Sequence, residues 1–283
     1  MQKTNRPNWL NKKISPSSHK EMRALLEEKS ISTICQEALC PNISECFKKK
    51  VATFMILGTS CTRTCSFCAV SKEKPMPPNP NEPKNIALAI KELSLNHAVI
   101  TSPTRDDLSD NGAEHFCKTV KEIKEINKET IVELLISDMQ EDELSLKKIA
   151  TSGAEIIGHN LETVPRLYNI RKGAHYNRSL RVLQKLSIFN PACATKSGIM
   201  LGFGESDDEV LQLMQDLLSI NCKLLSIGQY LAPSSKHAKV IEYVKPERFE
   251  FFKNIGLKMG FSYIKSSPYT RSSYLAHEYL EAI

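Results

Sequence analysis

A chain of 283 residues with 41% hydrophobic and 25% charged side chains holds enough material for one large domain or two small ones around a buried core, which excludes a disordered, collagen-like or coiled-coil protein. Every long apolar stretch is broken by charge well short of the roughly 18 residues that a bilayer span needs, so no membrane segment is expected. The formal net charge of +6, from 38 basic and 32 acidic residues, is a mild excess that fits acidic partners and does not by itself indicate nucleic acid.

The N-terminus lacks the apolar core of a secretory signal. Its first twenty residues carry five basic and no acidic side chains, a composition shared with organellar transit peptides. A solvated basic arm anchored by Trp9 and Leu10 is the stronger reading, and it places the protein in a reducing cytoplasm. From Thr53 onward short apolar runs alternate with amphipathic stretches. Phe54 to Leu57 reads as a buried strand, followed by a cysteine-bearing loop and a proline-dense connection (Pro75, Pro77, Pro78, Pro80, Pro83) that suits neither helix nor central strand. A helix is expected over 85–95, a strand over 98–100, and a helix over 112–127 with Phe116, Val120, Ile123 and Ile126 on one face. The pattern repeats with a strand at 131–136, then a helix carrying Leu144, Leu146 and Ile149, for which Asp138 and Glu141 offer a cap. Strand 155–158, helix 176–189 and strand 198–201 follow. Ser206 and Glu209 form an S-x-x-E capping box before the next helix. Strand 224–227 and a helix from Pro246 to Met259 complete the series, with proline suited to the first turn.

Six strand–helix units in succession imply a parallel sheet with helical crossovers. An open doubly wound sheet and a partial barrel both fit the pattern. In either, active residues collect at the C-terminal ends of the strands. Residues 1–50 read as an N-terminal extension, 51–260 as the α/β unit and 261–283 as a short tail.

Nine cysteines are present, and six lie between residues 35 and 68. An odd count without a secretory signal argues against a disulfide framework. In a reducing compartment, clustered thiols bind metal or do redox work. Cys35, Cys40 and Cys46 form C-x4-C-x5-C, and Cys61, Cys65 and Cys68 form C-x3-C-x2-C. Structural zinc takes four ligands, usually from paired C-x2-C knuckles, and only Cys65 and Cys68 have that spacing. A [4Fe–4S] cubane has four irons, so three close thiolates leave one iron open for chemistry. Zinc binding and scattered buried thiols are the weaker readings. Cys117, Cys193 and Cys222 sit singly in apolar-periodic segments, where core packing is the stronger reading.

The C-x3-C-x2-C loop directly after a first strand resembles the signature of the radical S-adenosylmethionine superfamily. The second set, Cys35-Gln-Glu-Ala-Leu-Cys40-Pro-Asn-Ile-Ser-Glu-Cys46, resembles one family within it, the lipoyl synthases. Further segments agree in family order: Phe54-Met-Ile-Leu-Gly58, Thr101-Ser-Pro-Thr-Arg-Asp-Asp107, His159-Asn-Leu-Glu-Thr-Val-Pro-Arg166, Lys196-Ser-Gly198, Ile227-Gly-Gln-Tyr-Leu231 and Arg271-Ser-Ser-Tyr274. The chain departs from the family at Gly58-Thr-Ser-Cys61, where Gly-Asp-Thr-Cys is usual, at Pro103 in place of valine, and at Leu275 in place of histidine. None of these changes removes a ligand.

The resemblance implies a partial (βα)6 TIM-like barrel and a sulfurtransferase that replaces unactivated C–H bonds of an octanoyl chain with C–S bonds. No general base removes such a proton, so a cofactor-borne radical is required. By resemblance the cofactors are two [4Fe–4S] clusters and S-adenosylmethionine. Cys61, Cys65 and Cys68 hold the cluster that cleaves S-adenosylmethionine. Cys35, Cys40 and Cys46, with Ser273 as fourth ligand, hold an auxiliary cluster that gives up its sulfur. Serine is a hard, poor ligand for iron beside thiolate, which suits a cluster meant to be dismantled. Asn160, Glu162, Lys196, Gly198 and Glu205 are the implied S-adenosylmethionine contacts. Phe67 packs near the cofactor or in the core, and His159 reads as a satisfied structural histidine ahead of an acid or base. Arg105, Asp106 and Asp107 follow the second strand, where a salt bridge and a ligand contact are equally expected. The implied partners are octanoylated lipoyl carrier domains (2-oxoacid dehydrogenase E2 or the glycine cleavage H protein), an electron donor such as ferredoxin or flavodoxin, and an iron–sulfur carrier, with no nucleic acid and no membrane. Lys48, Lys49 and Lys50 are the basic run most available to an acidic carrier. Another radical sulfur-inserting enzyme, a methylthiotransferase or a biotin-synthase-like protein, is the alternative, and a two-cluster electron carrier or zinc module is the reading from outside the superfamily.

Overall fold

The computed structural model describes residues 6–10, 20–49 and 51–282. One eight-stranded sheet organises them, in the order β1 (Ser32–Thr33), β2 (Thr53–Met55), β3 (His97–Thr101), β4 (Ile131–Leu135), β5 (Ile156–Gly158), β6 (Ala194–Leu201), β7 (Leu224–Gln229) and β8 (Tyr263–Ser266). β1 runs antiparallel to β2, and every other neighbouring pair is parallel. The two edge strands do not pair, so the sheet is an unclosed barrel. Three helices precede it in part: α1 (Lys20–Glu28), α2 (Ile34–Glu37) and α3 (Ile43–Lys48). The six expected units are β2 to β7, each followed by its helix: α4 (Glu82–Leu93), α5 (Ala113–Ile126), α6 (Glu143–Ala150), α7 (Tyr176–Phe189), α8 (Asp207–Ser219) and α9 (Pro246–Met259).

The apolar periodicity explains this arrangement. β2, β5 and β7 are buried at every residue, as strands covered on both faces require. One apolar core joins Phe54, Ile100, Phe116 and Leu134 in the first half of the barrel. A second joins Leu161, Ile199, Leu213, Ile227 and Phe249 in the other half. Ser206 and Glu209 make the reciprocal capping box of α8, and Pro246 opens α9. The cap of α6 differs from expectation. Asp142 supplies it, accepting from the Ser145 N–H at 2.8 Å. Asp138 instead caps the short 3-10 turn before it and turns its carboxylate toward two arginines. β6 starts at Ala194, earlier than expected, because Thr195 and Ser197 satisfy strand geometry as well as apolar residues do.

Residues 6–10 and the segment after β8 meet through Leu10 and Tyr269. After β8 the tail turns back across the barrel mouth, where the Gln229 N–H donates to the Pro268 carbonyl at 3.2 Å. At Gly228 a side chain would come within 2.0 Å of the Thr270 carbonyl, so only glycine allows this approach. The tail then descends to Tyr279, which is fully buried against Ile156 and Leu224 at the starts of β5 and β7. Leu10 is also fully buried, and its carbonyl accepts from Tyr269 OH at 2.5 Å. No helix among the described residues is long and apolar enough to cross a membrane.

Candidate active site

The chain leaves β2 through two left-handed residues, Leu57 (φ +66°) and Gly58 (φ +84°). A bulky residue keeps that conformation only where its surroundings over-determine it. Here the Leu57 N–H donates to Glu82 Oε2 at 2.8 Å, and the same oxygen is 2.7 Å from His115 Nε2. The Leu57 carbonyl accepts from Arg105 Nη1 at 2.7 Å, and Arg105 grips Asp107 through two bonds of 2.8 Å. The Leu57 side chain fills the space a Cβ at Gly112 would need.

This turn delivers the loop carrying Cys61, Cys65 and Cys68 to the C-terminal end of the strands. Arg63, between the first two cysteines, makes two bonds to Asp106 (2.7 and 2.8 Å) and two to Asp138 (2.7 and 2.9 Å). Asp138 is fully buried and also accepts from Arg178. Burial alone would raise the Asp138 carboxyl, but the hydrogen bonds and charge of Arg63 hold it far below the usual carboxylate range. The clamp therefore fixes the loop to the barrel rim with paired charges.

The thiols themselves are unsettled as thiolates. Burial raises Cys65 and pushes Cys68 up to about 11, and the charges of the neighbouring cysteines act in the same direction. A metal centre reverses that cost by binding each thiolate directly. All nine cysteines are free of disulfides. Among the described residues no three His, Cys, Asp or Glu side chains are grouped so as to hold one metal ion together. A cubane takes its thiolates on separate irons and so fits a wider set of soft donors.

The second triad is assembled differently. Cys35 lies on α2, Cys40 on the turn after it and Cys46 on α3, tied by backbone bonds from Cys40 N to Cys35 O (3.0 Å) and from Cys46 N to Asn42 O (2.9 Å). Cys35 and Cys46 are buried and Cys40 is half-buried. Burial pushes Cys35 up to about 11, the charge of Cys40 adds to this, and hydrogen bonds from Thr53 oppose it. The Thr53 hydroxyl also donates to Ser273 Oγ at 2.7 Å, so a residue that bonds Cys35 also holds the tail serine 220 residues further along the chain. Two more bonds hold the tail there: Asn42 Nδ2 to the Tyr269 carbonyl (2.7 Å) and Tyr274 OH to Glu45 (2.9 Å).

A short polar bridge lies between the triads. Glu162 sits after β5 with φ +66°, and its backbone bonds to Gly198 O and Met200 N on β6. Its carboxylate accepts from Asn160 Nδ2 at 3.0 Å, and Ser272 Oγ donates to Asn160 Oδ1 at 2.9 Å. A Cβ at Gly198 would lie 2.7 Å from both of those atoms, so glycine there keeps the bridge intact. Burial raises the Glu162 carboxyl against the pull of Arg171, Asn160 and Arg271. The charge of Glu162 acts on Cys65, while Arg271 feels both Cys40 and Glu162.

Two of the expected contacts are engaged by groups of the protein itself. Lys196 does not face the barrel mouth. Its ammonium lies 2.8 Å from Glu133 on β4 and 3.6 Å over the Tyr279 ring, inside the buried base of the barrel. An early residue of the longer β6 points to that level. The Glu205 carboxylate is engaged by its own loop, accepting from the N–H groups of Gly202 (2.5 Å) and Phe203 (3.0 Å). His159 is structural: its two ring nitrogens lie 3.0 Å from the Ile136 carbonyl and 2.9 Å from Ser179 Oγ, and burial pulls its pKa down to about 4. Phe67 packs toward Phe203, which stacks on Tyr230 at 4.2 Å beside Cys68. Sequence reasoning missed the Arg63 clamp, the Glu82 and His115 brace and the role of Thr53. Only the position of Arg63 inside the cysteine loop hinted at the first. Lys49 is exposed at the end of α3, and Lys50 lies outside the described residues.

The model of the radical SAM superfamily matches residues 55–217. The lipoyl synthase of Geobacter sp. (strain M21) is 54% identical over 276 residues, covering 98% of this chain and 95% of that protein. The lipoyl synthase of Geobacter metallireducens is 54% identical over 274 residues, covering 97% of each. Among solved structures, the FeFe-hydrogenase maturase HydG from Carboxydothermus hydrogenoformans superposes with a TM-score of 0.62 at 12% identity, over 74% of this chain and 52% of that one. This chain thus spans about half of that structure, and the likeness shows the fold alone.

Proposed function

The chain belongs to the lipoyl synthase family of radical S-adenosylmethionine enzymes, and from that premise we propose how its residues divide the reaction. The activity is the insertion of two sulfur atoms into the octanoyl chain of an octanoylated carrier protein. The cofactors are [4Fe–4S] clusters and S-adenosylmethionine, which together supply a 5′-deoxyadenosyl radical and the sulfur for insertion.

Cys61, Cys65 and Cys68 hold the cluster that cleaves S-adenosylmethionine. The reading is supported by their place at the barrel mouth and by the charge-paired loop that carries them. Cys35, Cys40, Cys46 and Ser273 hold the auxiliary cluster. The observation that carries this assignment is the Thr53 hydroxyl, which touches both Cys35 and Ser273. A donor aimed at Ser273 Oγ stabilises the alkoxide that a metal-binding serine must become. Asn160, Glu162 and Gly198 shape the space between the two centres, where S-adenosylmethionine and the octanoyl chain must both fit. Half-buried Glu162 offers a carboxylate to a ribose hydroxyl or an amino group. Lys196 supports the tail from below through Glu133 and Tyr279, and Glu205 shapes its loop. In chain order, 1–50 is the extension with the auxiliary cysteines, 51–260 the radical barrel and 261–283 the tail that completes the auxiliary site. We place the enzyme in the cytoplasm, with E2 or H-protein carrier domains as substrates, ferredoxin or flavodoxin as electron donor and an iron–sulfur carrier for renewal.

The assignment is tested by two variants reconstituted without oxygen. Cys61→Ala is expected to abolish S-adenosylmethionine cleavage. Cys40→Ala is expected to keep cleavage while making no lipoyl product on an octanoylated carrier peptide. Lipoyl product from the Cys40 variant would overturn the division.

A further inference from the structure

Charge is not spread evenly over this chain. Residues 163–204 contain seven Lys and Arg and no Asp or Glu, leaving 31 basic against 32 acidic residues in all the rest. An excess as large as that of the whole chain therefore lies in one segment, from the loop after β5 through α7 to β6, although its Lys196 is buried and residues 1–20 carry five further cations. That segment abuts the outer side of the Cys61–Cys68 loop. The Ser66 N–H donates to the Ile170 carbonyl at 2.9 Å, and a Cβ on Gly173 would sit 3.3 Å from Arg63. Between them opens a cavity of about 430 Å³, walled by Thr62, Arg63 and Thr64 on one side and by Lys172, Gly173 and Arg178 on the other, with Asp106 and Gln140 also lining it. Arg178, Arg181 and Lys185 continue it as one stripe along α7, at spacings of three and four.

The acids beneath this face are its counter-ions and are more buried than its cations; the most open of them, Asp106, is 27% exposed and doubly bonded to Arg63. Asp138 is fully buried and the Glu141 side chain is 18% exposed, whereas Arg181 is 52% exposed and Lys172 is open to solvent. A partner approaching from outside thus meets mainly cations, separated from the first thiol triad by the thickness of one loop. The carrier domain has a different requirement, because its octanoyl chain must reach the space between the two triads.

We propose that this face, centred on Lys172 and the α7 stripe, is the docking surface for the acidic protein that delivers single electrons to the Cys61–Cys65–Cys68 centre. The proposal rests on the radical-cluster reading of that triad and adds the route by which electrons reach it. Long-range attraction between unlike charges speeds encounter and fixes orientation, so the face acts chiefly on association.

The test compares the wild-type holoenzyme with Lys172→Glu/Lys185→Glu, which leaves Arg63 and Arg178 untouched. With dithionite as reductant both proteins should cleave S-adenosylmethionine at the same rate. With reduced flavodoxin at low ionic strength, KM for flavodoxin should rise about tenfold or more at little-changed kcat, and its salt dependence should flatten. An unchanged KM for flavodoxin overturns the proposal. So does a loss of equal size with dithionite, which would place the damage in the centre itself, or a loss confined to KM for the octanoylated carrier, which would give this face to the carrier. Absence of lipoyl product from wild-type enzyme under dithionite would instead count against the functional reading.

Discussion

The two thiol triads sit within one barrel but are held by different physics. The loop of Cys61, Cys65 and Cys68 is braced by groups the barrel already owns: Glu82 and Arg105 at its entrance, Asp106 and Asp138 on Arg63. These are charged, multiply bonded and largely buried contacts. The triad of Cys35, Cys40 and Cys46 lies on two short helices and the turn between them, ahead of β2, and the tail reaches it through hydrogen bonds to Thr53, Asn42 and Glu45. On the division proposed above, the first arrangement serves a centre that must survive many turnovers. The second serves a centre whose sulfur is consumed and which must release iron and be rebuilt.

The comparison breaks most visibly at Arg63. Replacing it by methionine leaves Asp138 facing Arg178 alone in a buried site, and removal of one partner from a buried pair costs about 3–5 kcal/mol. Denaturant unfolding should show a loss of that order, and S-adenosylmethionine cleavage should fall with it. Arg63→Met with unchanged stability would mean that the clamp does not hold the loop. Thr53→Val should have the opposite selectivity. Lipoyl formation is expected to drop about tenfold while S-adenosylmethionine cleavage stays near wild type, because only the hydroxyl bridge to Ser273 and Cys35 is lost. Equal loss of both activities would erase the distinction between the sites.

A smaller effect comes from His159. Its folded pKa of about 4 lies below the ordinary value of 6.5, so the native state keeps it neutral. The stability it contributes is complete above about 6.5 and is lost as pH falls toward 4. The wild type should therefore lose stability over that window more steeply than His159→Gln, as followed by melting temperature against pH. Parallel curves for the two proteins would remove His159 from the account.

Much of the frame was legible in the sequence because periodicity is strong where helices cover strands on both faces. α7 and α9 run over the residues that their apolar spacing suggests, and the capping box of Ser206 and Glu209 marks the start of α8. β1 and β8 were not legible. Ser32–Thr33 is two residues long, and Tyr263–Ser266 is mixed in polarity. Both owe their existence to a neighbour rather than to their own pattern. The grouping of six cysteines into two sets was equally plain, but their surroundings were not. Arg63 meets Asp138 across 75 residues and Thr53 meets Ser273 across 220, distances over which no local rule operates. Lys196 shows the converse: beside a recognisable motif it reads as a cofactor contact, and its position on β6 brings its ammonium to Glu133 at the base.

The central claim is that one triad starts the radical chemistry and the other gives up the sulfur. It is tested most directly by tracing that sulfur. Enzyme reconstituted with isotopically heavy sulfide, to about eight irons per chain, is mixed with S-adenosylmethionine and an octanoylated carrier peptide for a single turnover. The account predicts that the lipoyl product carries two heavy sulfurs and that Cys35→Ala/Cys40→Ala/Cys46→Ala yields none while still cleaving S-adenosylmethionine. Light sulfur in the product, or any lipoyl product from the triple variant, would contradict it.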